Sequence, residues 1–105
     1  MYITNNSTNG LQLGVHCKDK NHDIGFRSLH IGETYTFTFK PGTLFKNTLY
    51  YCNFSWSNRA EHRHLNVYDQ SRDDNTVGKE CRWEISQSRP CRLTNPNSRE
   101  CFQWP

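Results

Sequence analysis

The sequence predicts an all-β protein, a single-domain β-sandwich of two antiparallel sheets over residues 1–105, fastened by disulfides. Three observations predict it. Apolar residues alternate with polar ones in several short runs. Turn-forming residues punctuate those runs every ~8–15 residues. No window carries a helical repeat. The spacing gives about eight short strands, the pattern of a sandwich.

Met1–Asn5 is a short end able to complete a sheet, and Asn9-Gly10 closes it with turn chemistry. Leu11, Leu13, Val15 and Cys17 then share one face of a strand, with Gln12, Gly14 and His16 on the other. A polar stretch, Asp19–Gly32, reads as a loop. Tyr35, Phe37 and Phe39 alternate with Thr34, Thr36 and Thr38, and β-branched threonine suits an exposed strand face. After the Pro41-Gly42 turn, Tyr50, Cys52, Phe54 and Trp56 alternate with Leu49, Tyr51, Asn53 and Ser55. Ser57–His62 reads as a loop, Leu65 and Val67 share a strand face, and Gln70–Gly78 reads as a loop around Asp73-Asp74-Asn75. Cys81, Trp83 and Ile85 share a further face. Cys91–Leu93 and Cys101–Trp104 complete the sheets, joined by a Thr94–Glu100 loop with Asn95-Pro96-Asn97 at its turn. Trp56 and Trp83 are core residues by this pattern. The polar loops are where a binding surface sits.

Hydrophobic residues are only 33% of the chain, so the core is small and the stability margin narrow. Aromatics at 13% supply much of that core, and the five cysteines point to an oxidising compartment. The net charge of +3 is mild and its basic residues are scattered, which argues against a nucleic-acid surface. No stretch approaches the ~18 apolar residues of a membrane span. The chain enters structure at Met1-Tyr2-Ile3 and reads as a mature form whose leader has been removed, with Met1 an added initiator. Sequons at Asn5, Asn6 and Asn53 fit a secreted glycoprotein.

Cys17, Cys52, Cys81 and Cys91 fall in or beside strands, where cross-sheet disulfides form. Four cysteines allow three connectivities, and sequence does not choose among them. The expected pairing is Cys17–Cys91 with Cys52–Cys81, leaving Cys101 unpaired. Loops of those lengths correspond to roughly 3.5–4.5 kcal/mol each in the chain-entropy model.

No residues assemble into a recognisable catalytic frame. His62-x-His64 places two rings on one strand face, but no C-x₂-C pair accompanies it, so a structural metal is not expected. A small hydrolase or ribonuclease would need two poised imidazoles. His16, His22, His30, His62 and His64 supply rings and Lys18 and Lys20 supply charge, yet nothing fixes a pair. His16, on the opposite face from Cys17, reads as exposed or partner-facing. A cysteine nucleophile needs a thiolate, and disulfides remove most candidates. A carbohydrate or cell-wall binding module is the other competing reading, with Tyr51 and Tyr68 as stacking platforms.

Several features also coincide in order: Val15-His16-Cys17-Lys18; Asp23-Ile24-Gly25; Gly32, Tyr35, Phe37 and Phe39; Thr48 through Trp56; Val67-Tyr68; Cys81-Arg82-Trp83-Glu84-Ile85; Pro90-Cys91; and Trp104. This ordered set resembles the plant self-incompatibility S-protein family over nearly the whole chain. The resemblance implies a secreted two-sheet sandwich with disulfides and no known catalytic site. Its best understood members are secreted by the stigma and recognised by a transmembrane protein on pollen, where self-recognition triggers calcium entry and tube arrest. Other members are homologues expressed elsewhere. Family members with a cysteine near the terminal Trp often carry another where this chain has Gly78. If those two pair, Cys101 has lost its partner. Arg89 stands where the family usually places Gly before Pro-Cys, so a turn that used a positive φ is altered here. Asp23-Ile24-Gly25 reads as loop structure, an Asx-turn with Gly25 in a conformation closed to other residues.

The expectation is therefore a secreted, extracellular, monomeric signalling ligand with no enzyme activity and no cofactor. It neither inserts in a membrane nor binds nucleic acid. Its partner is a cell-surface transmembrane receptor, met through loop residues Arg59, Glu61, His62, Arg72, Asp73 and Asp74.

Overall fold

The computed structural model describes residues 1–8, 10–38, 48–56, 62–69, 81–95 and 98–105. Within them the chain forms β1 (Tyr2–Asn5), β2 (Leu13–Lys18), β3 (Asp23–Leu29), β4 (Thr34–Thr36), β5 (Leu49–Trp56), β6 (His62–Asp69), β7 (Arg82–Ile85), β8 (Pro90–Asn95) and β9 (Ser98–Cys101). One sheet runs β4-β1-β7-β8-β9 and the other β3-β2-β5-β6. All pairings are antiparallel except β1 with β7. The predicted sandwich is therefore present, with nine described strands against the expected eight or so.

The alternation sets which face is buried. Leu13, Val15 and Cys17 of β2 meet Cys52, Phe54 and Trp56 of β5 on the inner face of the four-stranded sheet. Ile3, Tyr35, Trp83 and Ile85 supply the facing layer. Burying a large side chain contributes about 1.5–3 kcal/mol, and much of the interior is aromatic as composition predicts. Each buried indole or phenol also needs a hydrogen-bond partner. Trp83 Nε1 donates to Val67 O at 2.9 Å, joining β7 to β6 across the sandwich. Tyr35 Oη donates to Gly25 O at 2.9 Å, joining β4 to β3. Trp56 Nε1 donates to Ser7 Oγ at 2.9 Å, and Trp104 Nε1 reaches Gln87 O at 3.1 Å while its ring packs on Phe54 and Trp56. The Arg92 guanidinium lies over the rings of Trp83 and Phe102, covering the core edge with its charge delocalised against the π faces.

Asn5 is 1% exposed and uses both ends of its amide. Its Nδ2 donates to Leu11 O at 3.0 Å and to Leu29 O at 2.9 Å, and its Oδ1 accepts from Ser7 N at 2.9 Å. Its backbone N donates to Glu33 O, and its carbonyl accepts from Gly32 N. Gly32 holds a φ of 84°, which a side chain would resist, so the β3–β4 turn can present that N–H. The possible glycan acceptor at Asn5 is thus the same nitrogen that holds Leu11 and Leu29. Asn6 and Asn53 are exposed.

The disulfides differ from the expected pairing. Cys17 bonds Cys52 and Cys91 bonds Cys101. Cys81 belongs to neither bond and is buried at 2% exposure. Both bonds join directly opposed residues of neighbouring strands, β2 with β5 and β8 with β9, at Cα separations of 4.0 Å. The expected Cys17–Cys91 and Cys52–Cys81 bonds would have run between the two sheets, whereas Cys17 and Cys91 each have their bonded partner directly opposite on the neighbouring strand of their own sheet. Cys101, expected to be left over, is the neighbour that Cys91 meets in the ladder.

The stretch expected as an Asp19–Gly32 loop contains β3, and the expected Thr94–Glu100 loop contains the end of β8 and most of β9. Both β3 and β9 are sheet edges. Most of their side chains face solvent, so they lack the apolar alternation that marks a strand with one buried face.

Two outcomes follow. Asn5→Ala leaves three polar backbone groups without their amide partner and should cost about 3 kcal/mol in urea denaturation. A loss below about 1 kcal/mol would mean that water replaces the amide. In the chain-entropy model, removing Cys17–Cys52, which closes 35 residues, should cost about 4 kcal/mol, and removing Cys91–Cys101, which closes 10, about 3 kcal/mol. Non-reducing peptide mapping should recover those two linked peptides, and a Cys52–Cys81 peptide would refute the pairing.

Candidate functional site

The outward face of the β3-β2-β5-β6 sheet gathers most of the described histidines. The pairing places Phe26, His16, Asn53 and His64 in one row across the strands. The next row holds Ser28, Gly14, Ser55 and His62. A third row holds Asp23, Lys18, Tyr51 and Asn66. Because side chains alternate along a strand, residues two apart share this face, which aligns His16 with Lys18 and His62 with His64.

Neighbouring groups fix several of these side chains. His16 Nε2 lies 2.6 Å from Asp23 Oδ1. Asp23 Oδ1 also accepts the Gly25 N–H at 2.9 Å, and Gly25 has a φ of 105°, so the expected Asx-turn is present, at the start of β3. The hydrogen bond from His16, followed by that from the Gly25 N–H, holds the Asp23 carboxyl below its ordinary value. His64 Nδ1 donates to Asn53 Oδ1 at 3.1 Å, and its ring lies 5.2 Å from that of Tyr51. Lys18 Nζ stands 5.9 Å over the Tyr51 ring. At the β2–β3 turn, desolvation acts to raise the Asp19 carboxyl. Hydrogen bonds from the Asn21 N–H and from the His22 ring and N–H outweigh it, so Asp19 also sits low.

The expected stacking platforms do not serve. Tyr68 is 4% exposed, because a register shift at Tyr50/Tyr51 turns both Val67 and Tyr68 inward. Tyr51 is half-buried beneath Lys18 and His64. The exposed ring on this face is Phe26, at 62% exposure. Sequence reasoning passed over it because its strand was read as loop; a lone aromatic between polar residues carried no periodic signal. Among the described residues no group of three or more His, Cys, Asp and Glu side chains is placed to hold a metal ion. Of the expected receptor contacts, His62 opens β6 and is exposed. Arg59, Glu61, Arg72, Asp73 and Asp74 lie outside the described residues.

The Asp23 pairing has a readable consequence. A carboxylate depressed on folding contributes stability that is present above its unfolded value of about 3.9 and fades as pH falls through the folded value. In a carboxyl NMR titration the Asp23 midpoint should lie below that value, and His16→Ala should move it upward. An unmoved midpoint would assign the depression to the Gly25 N–H alone.

Comparison with known proteins places this geometry in a lineage. The family model described as plant self-incompatibility protein S1 matches residues 1–104. S-protein homolog 5 of Arabidopsis thaliana is 35% identical over 99 residues, covering 94% of this chain and 73% of that protein. S-protein homolog 19 of Arabidopsis thaliana is 39% identical over 94 residues, covering 90% and 67%. S-protein homolog 2 of Arabidopsis thaliana is 36% identical over 108 residues, covering 97% of this chain and 65% of that protein. The chain thus spans about two thirds to three quarters of these relatives' length. No solved structure matches it. With the family model matched almost end to end on a disulfide-bonded two-sheet sandwich, the chain belongs to the plant self-incompatibility S-protein family.

Proposed function

We propose that the protein is a secreted, extracellular ligand without enzymatic activity or cofactor, acting as a monomer of one domain over residues 1–105. A transmembrane receptor at the cell surface recognises it through polar loops. The observation that carries this reading is the family match over residues 1–104. The architecture supports it. Two sheets and two disulfides hold a fixed frame, and connections between strands are the places where sequence can vary at little cost to packing.

The candidate contacts divide into two groups. Arg59 and Glu61 belong to the β5–β6 connection, and His62 opens β6. Arg72, Asp73 and Asp74 follow Asp69 at the other end of β6. With 8 residues in β6, the two connections leave the sheet roughly 23 Å apart. Each group can therefore be altered without touching the anchor of the other.

The test is saturable, protease-sensitive binding of the labelled, oxidised protein to intact plant cells, pollen included. Replacing Arg72, Asp73 and Asp74 by Ala, or Arg59 and Glu61 by Ala, should weaken binding at least about tenfold for the group that meets the receptor. Thermal stability should stay within about 0.5 kcal/mol, as for surface substitutions generally. Absence of saturable binding on every tissue, or full binding by both variants, would overturn the reading. Tube arrest with a calcium rise in some pollen genotypes would mark a self-recognition role. Binding confined to other tissues would mark a homologue with a different one.

A further inference from the structure

Phe26 sets one edge of its ring over the four-stranded sheet while remaining 62% exposed. The cause is Gly14 on the neighbouring strand. A methyl group at Gly14 would stand 3.0 Å from Phe26 Cε2 and 2.6 Å from Ser55 Oγ, so the ring occupies space that any other residue would fill. One ring edge is thereby settled over the glycine, and much of the ring faces solvent. Gln12, Ser28 and Ser55 line the shallow depression beside it. Ser28 Oγ donates to Gln12 Oε1 at 3.2 Å, and Gln12 Nε2 lies 3.2 Å from His30 Nδ1, giving an exposed polar rim of hydroxyl, amide and imidazole groups.

Beyond the ring, the face gathers one ammonium and three imidazoles. Lys18 and His16 stand on β2, and His62 and His64 on β6. The groups facing the histidines are Asp23 from β3, Lys18 from β2, and Tyr51, Asn53 and Ser55 from β5. Of the carboxylates near them, Asp23 is engaged by His16, Asp19 by the turn at His22, and Asp69 lies at the far end opposite Leu49.

An exposed aromatic ring with a polar rim and neighbouring cation and imidazoles fits a sugar polymer that carries carboxylates. We propose that this outer face binds a uronic-acid polysaccharide, one sugar ring stacking on Phe26 and successive carboxylates meeting Lys18, His62 and His64. The distance from β3 to β6 is three strand spacings, ~14 Å, which a short run of sugars lying across the strands covers. A nucleic acid would call for a denser Lys and Arg surface. This binding is separate from the receptor reading, since attachment to a polysaccharide survives protease treatment of the target and receptor binding does not.

The experiment measures binding of fluorescent oligogalacturonate to the oxidised full chain, using protein whose mass shows Asn53 unmodified, because a glycan there would stand in the middle of the face. Binding should be saturable. Phe26→Ala should weaken it at least about tenfold, and His62→Gln with His64→Gln should weaken it as well. Arg89→Gln, which removes a charge from the distant β7–β8 turn, should leave it unchanged, as a neutral oligoglucan should leave the protein unbound. Phe26 is exposed, so its variant should keep the native melting temperature. Absent binding, full binding by Phe26→Ala, equal weakening by Arg89→Gln, or equal capture of the neutral glycan each overturns the proposal. Equal weakening by Arg89→Gln would identify adsorption through net charge.

Discussion

The buried amide of Asn5 is the constraint on which the rest of the structure depends. β1 lies at the centre of its sheet's left half, between β4 and β7, and its last residue faces the interior. From there the side chain reaches Leu11, just before β2, and Leu29, the last residue of β3, while the backbone closes the turn that leads to β4. One residue thus sets where both sheets start relative to each other. An apolar residue of similar size would fill the space and leave the Leu29 carbonyl buried without a donor, a loss of about 1–3 kcal/mol for that group alone. Only a side chain with donors and an acceptor at the same end satisfies all three neighbours.

The same logic governs the aromatic interior. A chain with 33% hydrophobic residues cannot fill a two-layer core with aliphatics, so large rings must do it, and Trp and Tyr bring polar atoms that need partners. Here those atoms become the connections between sheets. Trp83 reaches Val67 and Tyr35 reaches Gly25, each from the five-stranded sheet to the four-stranded one. Desolvation raises the Tyr35 phenol above its ordinary value, which keeps it a neutral donor in this position. The disulfides play a different part. Both lie within a sheet, so they fix strand register and limit the unfolded chain, and mating of the layers is left to the rings and to Asn5.

These facts explain what the sequence could and could not disclose. Strands β2 and β5 were legible because each buries one face completely, so Leu13-x-Val15-x-Cys17 and Tyr50-x-Cys52-x-Phe54-x-Trp56 read as alternation. The core positions of Trp56 and Trp83 followed from the same pattern, and Asp23-Ile24-Gly25 from the local chemistry of an Asx-turn. Of the edge strands, β4 and β6 were legible from their alternation, whereas β3 was not, since it buries little beyond Leu29. Nor was Tyr68, whose burial depends on a bulge that no alternation rule anticipates. The disulfides were missed because pairing depends on which strands are neighbours and in what register. Cys17 meets Cys52 only because β2 lies beside β5, which a chain read in order does not reveal. The burial of Asn5 was hidden for a related reason: a sequon is a local pattern, and burial is decided by residues 6 and 24 positions away.

The edge position of β3 also decides what the outer face can offer. A central strand must pack on both sides of its ladder, so its outward side chains are crowded by two neighbours. Phe26 has a neighbouring strand on one side only, and Gly14 on that strand leaves room for the edge of the ring. Stability and recognition are then carried by different atoms. The inward side chains of β2 and β5 and the Asn5 amide hold the sandwich, while Phe26, His62 and His64, on edge strands and exposed, can change with little effect on it.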